Sequence, residues 1–380
     1  MHRPRFAILT VAWVCVFAAL LLSGIGVFAM ATTDSSHAKA HVVHLCVGLA
    51  AAALVALPPH RVLRSMAFPL LIVVICLLIF VLLPFVPQSI VHSRNGARRW
   101  INLVVTDFQP SELAKIAYVL SMARYLRFRT THRRLLGLVI PFVLTLVPMG
   151  LILVEPDLGT ALLFVPTLFA LLIAAGAKLK HLALVALLGL SSAPLAYPVL
   201  KDHQKDRIKA VWAQMTDDRT YVNDIGFQGQ QAMTLIGAGQ VLGVGASQAE
   251  MLIEHNHLPE HHNDMIFAVV ACRWGLVGIG LTWALFLCLL GGGLVVAGQC
   301  KDPFARLIAV GLVALLFAQM AINTGMTLGL FPITGMTLPF VSAGGTSLVT
   351  AWLMIGLLLN VGMRRPLYMA GESFQFDDED

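Results

Sequence analysis

The sequence predicts an all-α, polytopic membrane protein. Of its 380 residues, 58% are hydrophobic and only 12% are charged, whereas a soluble domain has roughly 25% charged residues. An apolar run of ~20 residues is long enough to cross the hydrocarbon core of a bilayer as a helix. The chain holds about ten such runs, and we predict helices at about 6–30, 40–58, 66–87, 108–126, 137–154, 157–176, 181–200, 264–297, 306–326 and 348–363.

The basic residues predict the orientation of these helices. One short connection holds a cluster of arginines: Arg124, Arg127, Arg129, Arg133 and Arg134. Short loops rich in Lys and Arg face the cytoplasm. We therefore expect both termini in the cytoplasm and one long extracytoplasmic loop, at about 201–263, between the seventh and eighth helices. This anchoring pattern explains the formal net charge of +6, so the charge indicates no nucleic-acid partner.

The sequence predicts a single integral-membrane domain over residues 1–380. The first apolar run follows Arg3 and Arg5, but it is longer than the 7–15 residues of a signal-peptide core, so we expect an uncleaved first span. The cysteines lie in predicted spans or in an inner loop, which predicts no extracytoplasmic disulfide framework. A short acidic cytoplasmic tail occupies about 366–380.

Charged residues follow one another at the start of the fourth predicted helix. Arg98, Arg99 and Trp100 lie in an outer loop, and Glu112 and Lys115 lie i,i+3 on one helix face. One interpretation is a paired charge that lets the helix pack inside the bundle. The other is a polar cavity for an anionic ligand, in which the arginines bind phosphate.

Two carboxylates, Glu155 and Asp157, flank a proline where the sixth helix begins. An acid in a first helical turn is favoured by the helix dipole, by ~0.3–1 kcal/mol. The alternative interpretation is that either acid pairs with Lys115 across a cavity.

The long loop contains the apolar, glycine-broken stretch FQGQQAMTLIGAGQVLGVGAS, preceded by KDHQKDRIKAVWAQM, which is typical of a short amphipathic helix. The glycine spacing matches neither GxGxxG nor GxxxxGK[ST], so no nucleotide loop is predicted. We expect an irregular loop half-immersed at the membrane surface.

Residues 255–267 read HNHLPEHHNDMIF. His257 and His261 are four apart, but Pro259 lies between them and no zinc motif is present, which argues against a metal site. Asn263 is a suitable N-cap for the next helix and would place Asp264 in its first turn. A catalytic role for Asp264 stays open at this point.

The segment 327–347 is rich in proline, glycine and hydroxyl residues. Irregular backbone at membrane depth must face protein or water. We therefore expect this segment, including the hydroxyl of Ser342, to line a substrate-binding wall.

Together these segments resemble the SEDS family (shape, elongation, division and sporulation). The matching stretches occur in family order over essentially the whole chain: NGARRWI (95–101), FQPSELAK (108–115), EPDLGTAL (155–162), QKDRI (204–208), FQGQQAMTLIGAGQVLGVG (227–245), LPEHHNDMIFAVV (258–270) and PITGMTLPFVSAGGTS (332–347). The short tails and the amino-acid sequence of the last stretch look more like those of the elongation members than those of the division members.

The resemblance implies a peptidoglycan glycosyltransferase of the bacterial inner membrane. Such enzymes polymerise lipid II, an undecaprenyl-pyrophosphate-linked disaccharide-pentapeptide, at the outer face of the cytoplasmic membrane. The implied partners are a class B penicillin-binding protein transpeptidase, the elongation machinery and membrane lipid. No cofactor is certain, although a divalent cation such as Mg²⁺ or Mn²⁺ is an open option.

The resemblance also assigns residues. The family's essential acid corresponds to Asp264, which we interpret as the catalytic base. The family's functional tryptophan corresponds to Trp100, the helix-four pair to Glu112 and Lys115, and the acid of the PDLGT motif to Asp157. We expect the substrate-binding residues to be Trp100, Arg98, Arg99, Glu112, Lys115, Glu155, Asp157 and Ser342.

The sequence departs from the family pattern at Cys272 and Arg273, where the family usually has two acids. Ala343 stands where tyrosine is common, and Asn263 replaces the usual threonine. Two other functions stay open: a flippase that transports lipid II, and an inactive scaffold that activates a partner transpeptidase.

Overall fold

The computed structural model describes residues 10–94, 97–103, 107–196, 205–206, 209 and 227–364. Within these residues the chain forms helices α1 to α12 and a small sheet of three strands. The helices are α1 (Ala12–Met30), α2 (Ser35–Ala56), α3 (His60–Leu82), α4 (Pro110–Leu126), α5 (Val139–Val154), α6 (Leu158–Ala174), α7 (Leu179–Ala196), α8 (Phe227–Gly239), α9 (Ala246–Asn256), α10 (Ile266–Gln299), α11 (Pro303–Thr327) and α12 (Gly345–Met363). Two 3₁₀ turns, Thr131–Arg133 and Leu135–Leu138, precede α5.

The helices confirm a polytopic membrane protein. Among the described residues, seven segments are long and apolar enough to cross a membrane: α1, α2, α3, Leu135–Val154, α10, α11 and α12. Two shorter apolar helices, Leu158–Ala174 and Leu179–Ser191, accompany them. Apolar residues such as Ile72, whose side chain is 61% exposed, cover the outside of the bundle, as a lipid-facing surface requires. The full set of about ten spans and the cytoplasmic placement of both termini stay predictions.

α4 is the central helix of the bundle. Nearly all its residues are buried, including Glu112 and Lys115, although it is the most polar of the predicted spans. It begins with Pro110 at its first position, where the missing proline N–H would have had no helical partner. Its polar first turns are therefore enclosed by neighbouring helices instead of facing lipid.

A small antiparallel sheet is the part of the fold that an all-α prediction leaves out. Its strands are β1 (Val91–Arg94), β2 (Ala97–Asn102) and β3 (Asp107–Phe108), in the order β1-β2-β3. Val91 pairs with Ile101, and Ile101 pairs with Phe108. The sheet joins α3 to α4 and carries Arg98, Arg99 and Trp100 on β2.

The prediction of an irregular loop after α7 is wrong for the second half of that segment. Residues 227–239 form the regular helix α8, and α9 follows it. The stretch predicted as an amphipathic helix at about 201–215 lies almost wholly outside the described residues, as does the acidic tail. The α8–α9 pair packs on α10 through close backbone contacts. Val241 and Leu242 remain exposed between the two helices, and the expected contact with the membrane surface stays a prediction.

α10 is interrupted at Gly275, whose φ of 61° and ψ of −153° are not helical. The backbone N–H groups of Leu276 and Val277 bond to the carbonyls of Gln240 and Val241, and that of Val244 bonds to the Cys272 carbonyl. A Cβ built on Gly275 would lie 2.4 Å from the nitrogen of Gly243, so only glycine permits this approach. The connection between α8 and α9 thus satisfies the backbone groups that the break releases.

Arg273 is one of the two residues that depart from the family pattern, and its contacts show what an arginine does at this position. Its guanidinium donates to the Phe28 carbonyl and, at 2.6 Å, to the hydroxyl of Thr32. Both acceptors lie at the C-terminal end of α1, where a cation is favoured by the helix dipole. An arginine here therefore joins α1 to the broken region of α10.

Candidate functional site

Asp264 lies in the turn that leads into α10. The α10 helix begins at Ile266, and its N-cap is Met265, which makes no side-chain cap bond. The predicted N-cap role of Asn263 is wrong, because its side-chain amide instead donates to Glu260 Oε2 at 2.5 Å. The turn is closed by the N–H groups of Asn263 and Met265, which bond to the Glu260 carbonyl. Asp264 therefore precedes the helix, and its side chain is only 6% exposed.

Asn323 fixes the backbone of Asp264 from the side of α11. Its Nδ2 donates to the Asp264 carbonyl at 2.8 Å and to the Met336 carbonyl at 2.6 Å. Next to Met336, Gly335 has a left-handed φ of 72°, and a Cβ built on it would lie 3.9 Å from Asp264 Oδ2. One buried amide therefore holds both the turn that carries Asp264 and the loop that faces the carboxylate.

Lys115 and Glu112 form a buried ion pair in α4. Lys115 Nζ lies 2.8 Å from Glu112 Oε2 and donates to Gln319 Oε1 at 3.3 Å. Gln319 in turn donates to the Thr337 carbonyl at 3.0 Å. Gln319 and Asn323 are i,i+4 on α11, so this one helix face links the ion pair to the turn that carries Asp264.

The predicted pairing of Lys115 with Glu155 or Asp157 does not occur. Asp157 is the N-cap of α6 and accepts the Thr160 N–H at 3.1 Å. Its Oδ2 accepts bonds from Gln109 at 3.0 Å and Ser111 at 3.4 Å, both beside the start of α4. The helix-dipole interpretation therefore holds for Asp157, which also ties α6 to α4.

Glu155 is a buried carboxyl next to a cation that does not neutralise it. Arg99 donates through Nε to the Glu155 backbone carbonyl at 2.8 Å, and through Nη2 to the Pro156 carbonyl. Among the described residues, neither carboxyl oxygen of Glu155 has a hydrogen-bond partner. Burial, together with the nearby charge of Asp157 and against the opposing effect of Arg99, raises the pKa of Glu155 to about 8. Glu155 therefore holds a proton at neutral pH.

The two arginines of β2 bind different parts of the structure. Arg99 binds the connection between α5 and α6, and its guanidinium lies 5.9 Å from the centroid of the Trp100 ring. Arg98 donates to the Val86 carbonyl at 2.7 Å, beyond the end of α3. All three side chains are partly exposed, so β2 leaves two cations and an indole partly accessible.

Ser342 lies within the loop between α11 and α12. Its Oγ accepts the Leu338 N–H at 2.7 Å, and the residue is only 3% exposed. The following residue, Ala343, donates its N–H to the His262 carbonyl at 2.9 Å. Ser342 thus shapes the loop beside the Asp264 turn, and its role in substrate binding stays a prediction.

The histidines around Asp264 contact one another. The His262 ring lies 4.1 Å from that of His37 and 5.2 Å from that of His261, between ring centroids. Burial, with the neighbouring His37 and His261, lowers the pKa of His262. No group of three or more His, Cys, Asp or Glu residues within the described ranges has the arrangement of a metal site.

Sequence reasoning missed Gln319 and Asn323. Both are buried polar residues inside an apolar span, and polar residues within spans are costly enough to indicate a function. Their i,i+4 spacing in FAQMAINTG was the available signal.

The chain matches the family model described as cell cycle protein, FtsW/RodA/SpoVE, over residues 4–366. It belongs to the SEDS family. Among its relatives, a probable peptidoglycan glycosyltransferase FtsW of Pseudomonas fluorescens is 33% identical over 345 residues, which cover 90% of this chain and 82% of the relative. The peptidoglycan glycosyltransferase MrdB of Escherichia coli is 30% identical over 354 residues, which cover 92% of each chain.

Solved SEDS structures have the same fold. A chain from a peptidoglycan synthase complex, described as coordinating polymerization and crosslinking, superposes with a TM-score of 0.79 at 30% identity, covering 93% of this chain and 98% of that chain. The rod shape determining protein RodA of Thermus thermophilus gives a TM-score of 0.68 at 27% identity, covering 93% and 97%. The predicted family and helical membrane fold are therefore confirmed.

Proposed function

We propose that this SEDS protein is a peptidoglycan glycosyltransferase that polymerises lipid II at the outer face of the bacterial cytoplasmic membrane. Relatives that match nearly the whole chain carry this activity in their names. The observation that carries the proposal is a nearly buried carboxylate, Asp264, whose backbone is held by an amide of another helix. A positioned carboxylate at the boundary of membrane and water is the group that this reaction needs.

The reaction joins two sugars. The 4-hydroxyl oxygen of the acceptor attacks the anomeric carbon of the donor, and the bond from that carbon to the pyrophosphate oxygen breaks. The pyrophosphate leaves with the bonding electrons on its polyprenyl carrier, and the hydroxyl proton passes to a base. We assign Asp264 as this base, because general-base catalysis contributes ~10²–10⁴-fold.

The departing pyrophosphate requires positive charge. Arg98 and Arg99 are partly exposed on β2, and guanidinium matches the geometry of phosphate oxygens. Trp100, next to them, supplies an amphipathic ring at the membrane boundary. We assign these residues to substrate binding.

Lys115 has a different role in this proposal. Its charge is already compensated by Glu112 at 2.8 Å, and the residue is only 1% exposed. It therefore acts on the substrate by holding the wall of the site in place, through Gln319. The Asp157 carboxylate holds the neighbouring wall, where α5 meets α6, and Arg99 binds the backbone carbonyl of Glu155 there.

The partner in this proposal is a class B penicillin-binding protein, which crosslinks the glycan that the SEDS protein makes. A structural neighbour that belongs to a complex coordinating polymerization and crosslinking supports this pairing. Similarity to the elongation members in PITGMTLPFVS favours a role in cell elongation.

A polymerisation assay tests the function. The purified protein, with its partner, receives labelled lipid II, and the glycan products are resolved by length. We expect polymer from the wild type and at least a hundredfold slower synthesis by Asp264→Ala of equal thermal stability. Lipid II that crosses a vesicle membrane without being polymerised would instead indicate a flippase. Activation of the transpeptidase without polymer in any condition would indicate a scaffold.

A further inference from the structure

A pocket of about 340 Å³ lies at the end of the bundle opposite Asp264, where α3 begins and α4 ends. Four of the residues that line it are arginines, and two are aromatic: Arg64, Arg124, Arg127, Arg129, Tyr125 and Phe128. We refer to it as the arginine pocket. It takes no part in the glycosyl transfer proposed above.

The positive charge of the arginine pocket is only partly neutralised. Within the part of the chain that the structure describes, one carboxylate reaches these arginines: Asp302, 3.7 Å from Arg64 Nη2. Asp302 is shared with His60, whose Nδ1 is also 3.7 Å away. Arg64 Nε is buried without a hydrogen-bond partner among the described residues. The pocket therefore holds more cationic donors than its own acid can satisfy.

Aromatic rings, not acids, hold the outer arginines. The guanidinium carbon of Arg127 lies 3.9 Å from the centroid of the Phe128 ring, and that of Arg129 lies 4.5 Å from the centroid of the Tyr125 ring. A guanidinium stacked on a ring keeps its N–H donors at its edge, available for a planar or tetrahedral anion.

Arg124 forms the fixed floor of the pocket. Pro69 lies inside α3 and has no N–H, so the Ser65 carbonyl loses its helical partner. Arg124 Nη1 donates to that carbonyl at 3.1 Å and to the Arg64 carbonyl at 2.7 Å. The carbonyl that Pro69 leaves without a helical partner thus holds the Arg124 guanidinium between α3 and α4.

The like charges repel one another. The pKa of Arg127 is lowered by burial first and then by the neighbouring charges of Arg64 and Arg124, against the opposing effect of Asp302. An anion bound between these side chains would relieve that repulsion.

We propose that the arginine pocket binds the phosphate of an anionic glycerophospholipid. In the predicted orientation this end of the bundle faces the cytoplasm, where anionic lipid headgroups meet basic segments next to membrane helices. Phe128, which is 72% exposed, gives the pocket an apolar wall at that boundary. A phosphate on a lipid satisfies both the guanidinium donors and this apolar wall, whereas free phosphate satisfies only the donors.

Lipid titration of the full-length protein in detergent tests this proposal. Dioleoylphosphatidylglycerol or dioleoylphosphatidylcholine is added, and the bound lipid is counted by native mass spectrometry. We expect phosphatidylglycerol to bind at least tenfold more tightly than phosphatidylcholine. Arg127→Gln/Arg129→Gln should remove most of that difference. Arg133→Gln/Arg134→Gln removes the same charge from exposed residues outside the pocket and should bind within twofold of the wild type.

Three results would overturn the proposal: equal binding of the two lipids, equal loss of binding in both double variants, or full displacement of the lipid by an equal concentration of inorganic phosphate. The last result would assign the pocket to free phosphate. If the double variant Arg127→Gln/Arg129→Gln has a lower midpoint of thermal unfolding than the wild type, the single variant Arg129→Gln is tested in its place. We then expect at least threefold weaker binding of phosphatidylglycerol, and an unchanged affinity would contradict the proposal.

Discussion

The side chain of Asn323 donates a hydrogen bond of 2.8 Å to the backbone carbonyl of Asp264. The same Nδ2 reaches the Met336 carbonyl at 2.6 Å, and Asn323 is fully buried. A buried amide that satisfies two carbonyls of irregular backbone fixes both segments at once. The position of the Asp264 carboxylate therefore depends on α11 as well as on its own turn.

We predict that Asn323→Ala lowers the rate of lipid II polymerisation by at least tenfold, with little change in KM. Asn360 is a matched control, because it is also fully buried and its Nδ2 donates to the carbonyls of Val55, Ala56 and Pro58. Each substitution leaves buried carbonyls unsatisfied, at a cost of ~1–3 kcal/mol. Equal loss of activity in Asn323→Ala and Asn360→Ala, at equal stability, would contradict a positioning role.

The ion pair of Glu112 and Lys115 gives a second prediction. Removing one partner leaves a buried charge uncompensated, so Lys115→Met should destabilise the protein by ~3–5 kcal/mol. Replacing both, as Glu112→Gln/Lys115→Met, should restore most of the thermal stability but not the polymerisation rate, because the bond to Gln319 stays broken. If activity returned together with stability, the pair would be structural only.

The sequence was sufficient for the family and for the helical membrane fold, whereas the roles of the candidate site residues stay predictions. Apolar runs define the membrane helices directly, and the motifs assign Asp264 and the Glu112–Lys115 pair. The interruption of α10 could not be predicted, because it depends on Gly243 lying against Gly275, two residues far apart in the chain. The sequence also left open a pairing of Lys115 with Asp157, which instead accepts hydrogen bonds from Gln109 and Ser111, and these contacts between α6 and the start of α4 depend on tertiary packing.

Arg273 gives a third prediction. Arg273→Glu removes the two hydrogen bonds that Nη1 donates at the C-terminal end of α1 and places a negative charge beside the Phe28 carbonyl and the Thr32 hydroxyl. We expect a loss of ~1–2 kcal/mol in stability from the helix dipole and the lost bonds, seen as a lower midpoint of thermal unfolding in detergent. Arg133→Glu makes the same change at an exposed position and should leave the midpoint nearly unchanged. Similar midpoints for the two variants would rule out the proposed contact with α1.

The raised pKa of Glu155 leads to a fourth prediction, that the stability of the protein depends on pH. Its pKa of about 8 exceeds that of an unfolded glutamate, about 4.3, so the folded protein keeps a proton that the unfolded chain has lost. Raising the pH through this window therefore lowers the free energy of unfolding, by about 1.4 kcal/mol per pKa unit, and the loss is complete above pH 8. Glu155→Gln cannot titrate, so its midpoint of thermal unfolding should fall less than that of the wild type between pH 6 and pH 9. Glu254→Gln, at an exposed position, should follow the wild type, and parallel curves for all three proteins would show that Glu155 is already ionised at neutral pH.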